Sequence, residues 1–439
     1  MKKRWLVAAT LLMGGLIVAA LFLFKVPKGH EATLSDRTIV RFEKAGIGAI
    51  PYDSYPPIKA ALAGYVPNRF QSRLGTRITT TFTCQPHEIG LVFLHRTADG
   101  KPKNDPSQFL SRIEFIESTG YVFNVGISGS HSSTGVMCVT QGPFPRRAPT
   151  LHMRLYEHGT DRLLFDLHVP NPGYKPTFPE WVPDAIPATQ TVEPLIVTLK
   201  HGLAGVAEKY LSNEDIEIVS TDPNWTVATR QRQFWLTDAT GNRGHGLSGL
   251  SPFEPAWKLH VRVRRDASAE FGTDEVWRTK LLALPAALKA ERLRLRQVVA
   301  GVELTATALC SAGYFEDDGH TLTVTPTAQT EGGARVGGVT GNGLTYTQLD
   351  SGLPFFSLSH TTLDDDTELI PNVRDQTGRM ISVEDRSGSS EINGVWTRLV
   401  QFEPTADTTD VQLEVIVNRG RTFEFLVAPH KPAPTNQAQ

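Results

Sequence analysis

The chain has 439 residues, 40% of them hydrophobic and 21% charged, with a net charge of −2. This is a globular composition rather than that of a disordered stalk, and it is long enough for two or three domains with their own cores. Residues 1–30 carry five basic side chains and no acid, so the remainder stands at −7, which argues against nucleic acid as a partner.

Residues 5–24, WLVAATLLMGGLIVAALFLF, hold no charge and lie between basic flanks. A helix of that length spans about 30 Å, the thickness of a bilayer's hydrocarbon core. Lys2, Lys3 and Arg4 mark residues 1–4 as a cytoplasmic tip by the positive-inside rule. The expected arrangement is a single-pass signal-anchor in the plasma (inner) membrane, with the bilayer as partner of 5–24 and the bulk of the chain extracytoplasmic. A cleaved signal peptide is the alternative, but the run ends in Phe22-Leu23-Phe24-Lys25 instead of a small-residue cleavage site. Gly15 and Ala19 form a small-xxx-small pair, more simply read as ordinary small residues of an apolar helix. No oligomeric state follows.

Residues 25–54 form a juxtamembrane segment that runs into a first β-sandwich module over 31–170. Pro56-Pro57 followed by Ile58, Ala61 and Leu62 predicts a short helix over 55–64. Beyond residue 75 the dominant period is two. Leu151, Met153 and Leu155 alternate with His152, Arg154 and Tyr156, the turn Glu157-His158-Gly159-Thr160 follows, and Leu163, Phe165, Leu167 and Val169 return, which predicts an antiparallel hairpin. Seven prolines between 169 and 194 define a connector over 171–193, with Tyr174, Phe178 and Trp181 placed to pack on a neighbour.

A second β-rich region is expected over 194–428, with a possible split into two modules near 311. Residues 286–297 combine helix formers with the alternation of Arg292 to Arg296 and fit either helix or strand. Gly and Asp cluster after Cys310, and 330–343 reads as a long loop. Val411, Leu413, Val415 and Val417, the turn Asn418-Arg419-Gly420, then Phe423, Phe425 and Val427 predict a second hairpin. Residues 429–439 read as a disordered tail. The fold class is therefore mainly β: an N-terminal transmembrane helix followed by tandem antiparallel, immunoglobulin-like β-sandwich modules.

Three cysteines are few for an exported chain, so cores and not a disulfide framework hold it. Cys84 shares a face with Phe82, and Cys138 with Val136, so both point inward in the first module. They either bridge, closing a loop of about 55 residues worth about 4 kcal/mol, or remain buried thiols. Cys310, in line with Leu304, Ala306 and Ala308, reads as a small core residue.

No cofactor and no catalytic or metal motif is found. The thirteen histidines include no HExxH or HxH, and His152, His168 and His260 read as solvated on polar strand faces. The acidic runs Asp364 to Glu368 and Glu316 to Asp318 have oxygen ligands for calcium but not the EF-hand spacing, so solvated loops are the simpler reading. The serines of 126–135 lack the G-x-S-x-G elbow.

Residues 258–296 carry ten basic and five acidic residues. Lys258, Arg262 and Arg264 on one strand, with Arg292, Arg294 and Arg296 on another, form an anionic-ligand surface if the strands are neighbours. A face neutralised by acids of an adjoining strand is the competing reading. Trp225, Trp235, Trp257 and Trp277 suit a glycan groove if solvent-facing and a core if not. The expected function is a non-enzymatic interaction or envelope scaffold with envelope proteins or glycans as partners. A binding module for anionic glycans or other anionic ligands is the alternative, and a hydrolase with a loop-built site the second.

Overall fold

The computed structural model describes residues 30–429 except 55–77, 102–108, 126–128, 134, 204–210, 212–213, 228–231, 245–248, 287–288, 312–313, 318–321, 326–343, 347–352 and 393–394. The expected membrane segment 5–24, the short helix over 55–64, the loop 330–343 and nearly all of the tail lie outside the described residues. Among the described residues every regular element is a strand, the strands form several antiparallel sheets, and no helix is long and apolar enough to cross a membrane.

The first body contains β1 (Glu31–Thr33), β2 (Ile39–Gly46), β3 (Ala49–Ser54), β4 (Ile78–Thr83), β5 (Ile89–Arg96), β6 (Leu110–Ile116), β7 (Val122–Val125), β8 (Gly129–Ser133), β9 (Val136–Gln141), β10 (Thr150–Glu157) and β11 (Leu163–Pro170). Two sheets, β1-β2-β5-β9-β8 and β11-β10-β6-β7, enclose one core that includes Phe42, Phe93, Phe115, Phe165 and Leu167. Each such buried side chain contributes about 1.5–3 kcal/mol. The predicted hairpin of 151–169 is β10–β11, with Met153 opposite Leu167 and Leu151 opposite Val169. The β3–β4 hairpin covers the reverse face of the first sheet through a second, smaller cluster. Gly90 permits that close approach, because a Cβ there would stand 2.4 Å from Ile50 Cδ1.

The proline-rich connector lies against the second body, as its aromatics suggest. Asp184 donates its backbone N–H to Leu426 O and accepts from Leu426 N, and Lys258 Nζ stands 5.3 Å from the Trp181 ring centre. The second body holds β12 (Ala188–Val192), β13 (Leu195–Leu199), β14 (Ile216–Ser220), β15 (Arg232–Asp238) and β16 (Trp257–Val263).

The third body holds β17 (Val276–Arg278), β18 (Leu282–Ala283), β19 (Ala290–Val299), β20 (Val302–Cys310), β21 (Tyr314–Asp317), β22 (Leu322–Thr325), β23 (Leu344–Tyr346), β24 (Phe355–Thr361), β25 (Thr367–Asp375), β26 (Met380–Ile392), β27 (Val395–Glu403) and β28 (Asp410–Arg419). Its ladder runs β17-β28-β25-β26-β27-β24-β20-β19 around a core that includes Trp277, Leu304, Phe356, Phe402 and Val415. Within the ambiguous stretch 286–297, residues 290–297 are strand, since β19 pairs with β20 and buries Leu293. Cys310 is buried but leaves the face of Leu304 and Ala306. A register shift between Ala306 and Ala308 turns Ala308 and Cys310 toward Phe355 instead.

The last strand, β29 (Arg421–Val427), corrects the expected carboxyl-terminal hairpin. It does not pair with β28. It joins β16 in the sheet β15-β16-β29, with Phe423 opposite Val261 and Phe425 opposite Leu259. Phe423, Phe425 and Val427 thereby complete the second body's core over the sheet β12-β13-β14. Asn418-Arg419-Gly420 is a passage between sheets, so the third body is nested inside the second. The change of core falls between β16 and β17 and again at Gly420, whereas position 311 lies within the third body.

Five turns among the described residues share one geometry. Asp238 N–H donates to Asn242 O and Gly241 N–H to Asp238 O, and the same pair of bonds recurs at Leu34–Thr38, Thr97–Lys101, Glu117–Tyr121 and Asp375–Arg379. The fourth residue sits at positive φ in each: glycine at Gly100, Gly120, Gly241 and Gly378, where it is favoured, and Arg37 at φ 66° in the remaining turn.

Candidate interaction surface

The six basic residues singled out in the sequence do not share a face. Lys258 and Arg262 lie on β16 and Arg264 just beyond it, whereas Arg292, Arg294 and Arg296 lie on β19 in a different sheet. The condition for a single Arg-rich patch, neighbouring strands, is not met.

The β16 group is matched to acids. Lys258 Nζ donates to Glu424 Oε2 at 2.7 Å across the β16–β29 ladder. Arg262, nearly buried, donates Nε to Asp366 Oδ1 at 3.0 Å and Nη1 to Gln233 Oε1 at 3.0 Å. Arg264 donates Nη2 to Asp365 O at 3.1 Å and lies 3.9 Å from Glu368. The Asp364–Glu368 run, read as a solvated loop, instead brings Asp365, Asp366 and Glu368 onto the basic strand. Two charged motifs far apart in sequence thus neutralise one another. On β19, Arg296 pairs with Glu303 at 2.6 Å on the neighbouring strand, and Arg294 is exposed.

The tryptophans are core or boundary residues. Trp225, Trp235, Trp257 and Trp277 are all buried. Trp235 is covered by charged and aromatic neighbours: His260 stacks on it at 4.8 Å, with the Arg262 and Arg243 guanidinium groups 4.4 and 4.9 Å from its ring centre. Such contacts are worth about 0.5–1 kcal/mol each when exposed and more when desolvated. His260, expected to be solvated, is largely buried. Desolvation pushes its pKa down to about 4 despite the Glu424 carboxylate 3.4 Å away.

The side chains that hold the bodies together escaped the sequence reading. Between the first and second, Asn242 donates Nδ2 to Phe144 O at 2.9 Å and accepts Phe144 N–H at 3.3 Å, as a strand neighbour would. Its Oδ1 also accepts from Arg146 Nε at 3.1 Å, and Arg146 Nη2 reaches Pro86 O at 2.9 Å. Asp238 fixes the loop by accepting from Thr240 and Asn242, while burial pushes its carboxyl pKa up against the pull of those donors. Nearby, Glu254 takes a paired bond from Arg147, with Nε at 2.8 Å and Nη2 at 2.6 Å.

Between the second and third bodies, Asn418 Nδ2 donates to Arg265 O at 3.0 Å, and Gly420 N–H donates to Asp366 O at 2.8 Å. Arg265 also pairs with Glu275, and Thr422 Oγ1 with Asp366. One signal was available in the sequence. The pattern D-x-T-G-x occurs at Asp238–Asn242 and Asp375–Arg379, and in both the Asp accepts from the Thr N–H, the Thr hydroxyl and the backbone N–H of the fifth residue.

Cys84 and Cys138 do meet, in the small cluster under β3–β4, where both are free thiols. Burial raises both, Cys138 to about 12, so neither is a ready nucleophile. Of the 126–135 run, 126–128 and 134 lie outside the described residues.

The fold and these joints define a mainly β protein of three packed bodies. No family model, curated protein or solved structure matches the chain.

Proposed function

We propose that the protein is a membrane-anchored scaffold. Its extracytoplasmic part is a rigid series of immunoglobulin-like β-sandwich bodies that presents surfaces to envelope proteins or glycans. The observation that carries this reading is the pair of polar joints. Asn242 pairs with the backbone of Phe144 at one, and Arg262, Asp366 and Asn418 tie the other. Hydrogen bonds from the buried Asn242, Arg262 and Asn418 side chains favour one relative geometry of the bodies, which suits a spacer or platform better than a flexible tether. The apolar run 5–24 with its basic amino-terminal flank supplies the anchor and orientation. The matched charges of β16 favour the scaffold over an anion-binding face.

Two measurements test the proposal. A reporter active only outside the cytoplasm, fused after residue 439, is expected to be active, with the chain in the membrane fraction. Proximity labelling from the native membrane is expected to recover a reproducible set of envelope neighbours. A cytoplasmic reporter signal, or labelling indistinguishable from an unrelated anchored control, refutes it.

A further inference from the structure

The polar face of the β10–β11 hairpin carries a second kind of chemistry. His152 and His168 are directly opposite across the ladder, and Asp166 lies two residues before His168, so all three project from one face. The imidazoles stack with ring centres 4.1 Å apart, and His152 Nε2 lies 2.8 Å from Asp166 Oδ1. One ligand atom from each residue falls within 4.8 Å of the others. A tetrahedral ion with bonds of about 2.0–2.1 Å needs its ligands about 3.3 Å apart, so small rotations close the set.

The backbone under this face is fixed. Leu151, Met153, Leu155, Leu167 and Val169 are buried on the other side, so the three ligands stand on a preformed frame. Arg154, opposite Asp166 in the register, donates Nε to Oδ2 at 3.3 Å, which orients the carboxylate and leaves Oδ1 toward the histidines.

We propose that His152, Asp166 and His168 form a surface site for a divalent transition ion of the Zn2+ or Cu2+ type, with one coordination position open. Two imidazoles and a carboxylate suit such ions, whereas calcium and magnesium require oxygen ligands. The competing account is a plain His–Asp ion pair with no affinity for metal.

The test uses the full chain, purified without a polyhistidine tag and titrated with Zn2+ alone by equilibrium dialysis. One ion per chain is expected. His152→Ala, His168→Ala and Asp166→Asn should each weaken binding by about 100-fold or more, beyond the about 10–100-fold typical of losing only a supporting contact. His201→Ala, removing an exposed histidine on another body, should leave affinity unchanged. With Cu2+ as probe, the electron paramagnetic spectrum should show two nitrogen ligands in the wild type and one in either histidine variant. The variants should retain the metal-free unfolding midpoint, since all three residues lie off the core. Zn2+ binding equal in wild type and the His152→Ala/His168→Ala double variant overturns the proposal, as does equal weakening by His201→Ala.

Discussion

Replacing Asn242 with Ala should loosen the first joint more than any single surface charge would. The truncation removes the partners of Phe144 N–H, Phe144 C=O and Arg146 Nε, all in a buried setting. A buried polar group left without its bond costs about 1–3 kcal/mol, so the two backbone groups alone predict about 2–6 kcal/mol. Water entering the vacated amide volume brings the value toward the lower end. Asn242→Asp keeps the shape but loses the Nδ2 bonds to Phe144 O, Asp238 Oδ2 and Thr240 Oγ1 and sets a second carboxyl against Asp238, so it should be at least as damaging. Urea unfolding followed by tryptophan fluorescence reads the effect as an earlier first transition, and limited proteolysis reads it as new cleavage in the connector. A shift under about 0.5 kcal/mol, within the range of an ordinary surface substitution, or a harmless Asn242→Asp, would refute the reasoning.

Cys84, Cys138 and Cys310 should react with iodoacetamide at pH 8 only after unfolding, because burial raises all three thiols; rapid labelling of the native chain, read by mass spectrometry, would contradict this. His260 should give the second body an acid-sensitive slope. Its pKa falls from 6.5 to about 4 on folding, so the unfolded chain binds the extra proton and stability declines as pH falls from 6.5 toward 4. His260→Gln should flatten that slope in urea titrations; an unchanged slope would refute its assignment to His260.

Local patterning was legible where the partner strand is also local. The alternation of Leu151 to Val169 predicts the β10–β11 pairing, because the intervening turn fixes the register. The same alternation at 411–427 misled, since period two says which face is buried and not which strand lies alongside. Gly420 suggested a tight hairpin, yet Val263 O and Asp366 O crowd its Cβ position at 3.1 and 3.3 Å, the mark of a passage between packed bodies. Charge was misleading for a related reason. Arg262 and Asp366 are 104 positions apart, and nothing local to β16 announces its counter-ion. The joint at Asn242 was hidden because a polar residue in a hairpin turn is ordinarily solvent-facing, and only the approach of Phe144 makes it structural.

The nesting of the third body within the second sets an order in time. A chain made from its amino terminus can close the first body early, and the strands of the third can find one another while the rest is still emerging. The second body cannot close then: Leu259 and Val261 on β16 wait for Phe425 and Phe423, which arrive last. Until that strand docks, part of a hydrophobic core and one edge of a sheet stay open, the condition that recruits chaperones and invites pairing with a foreign strand. The final segment therefore acts as a latch on completion. A chain cut short before β29 would lack the means to finish a body whose other strands were made long before.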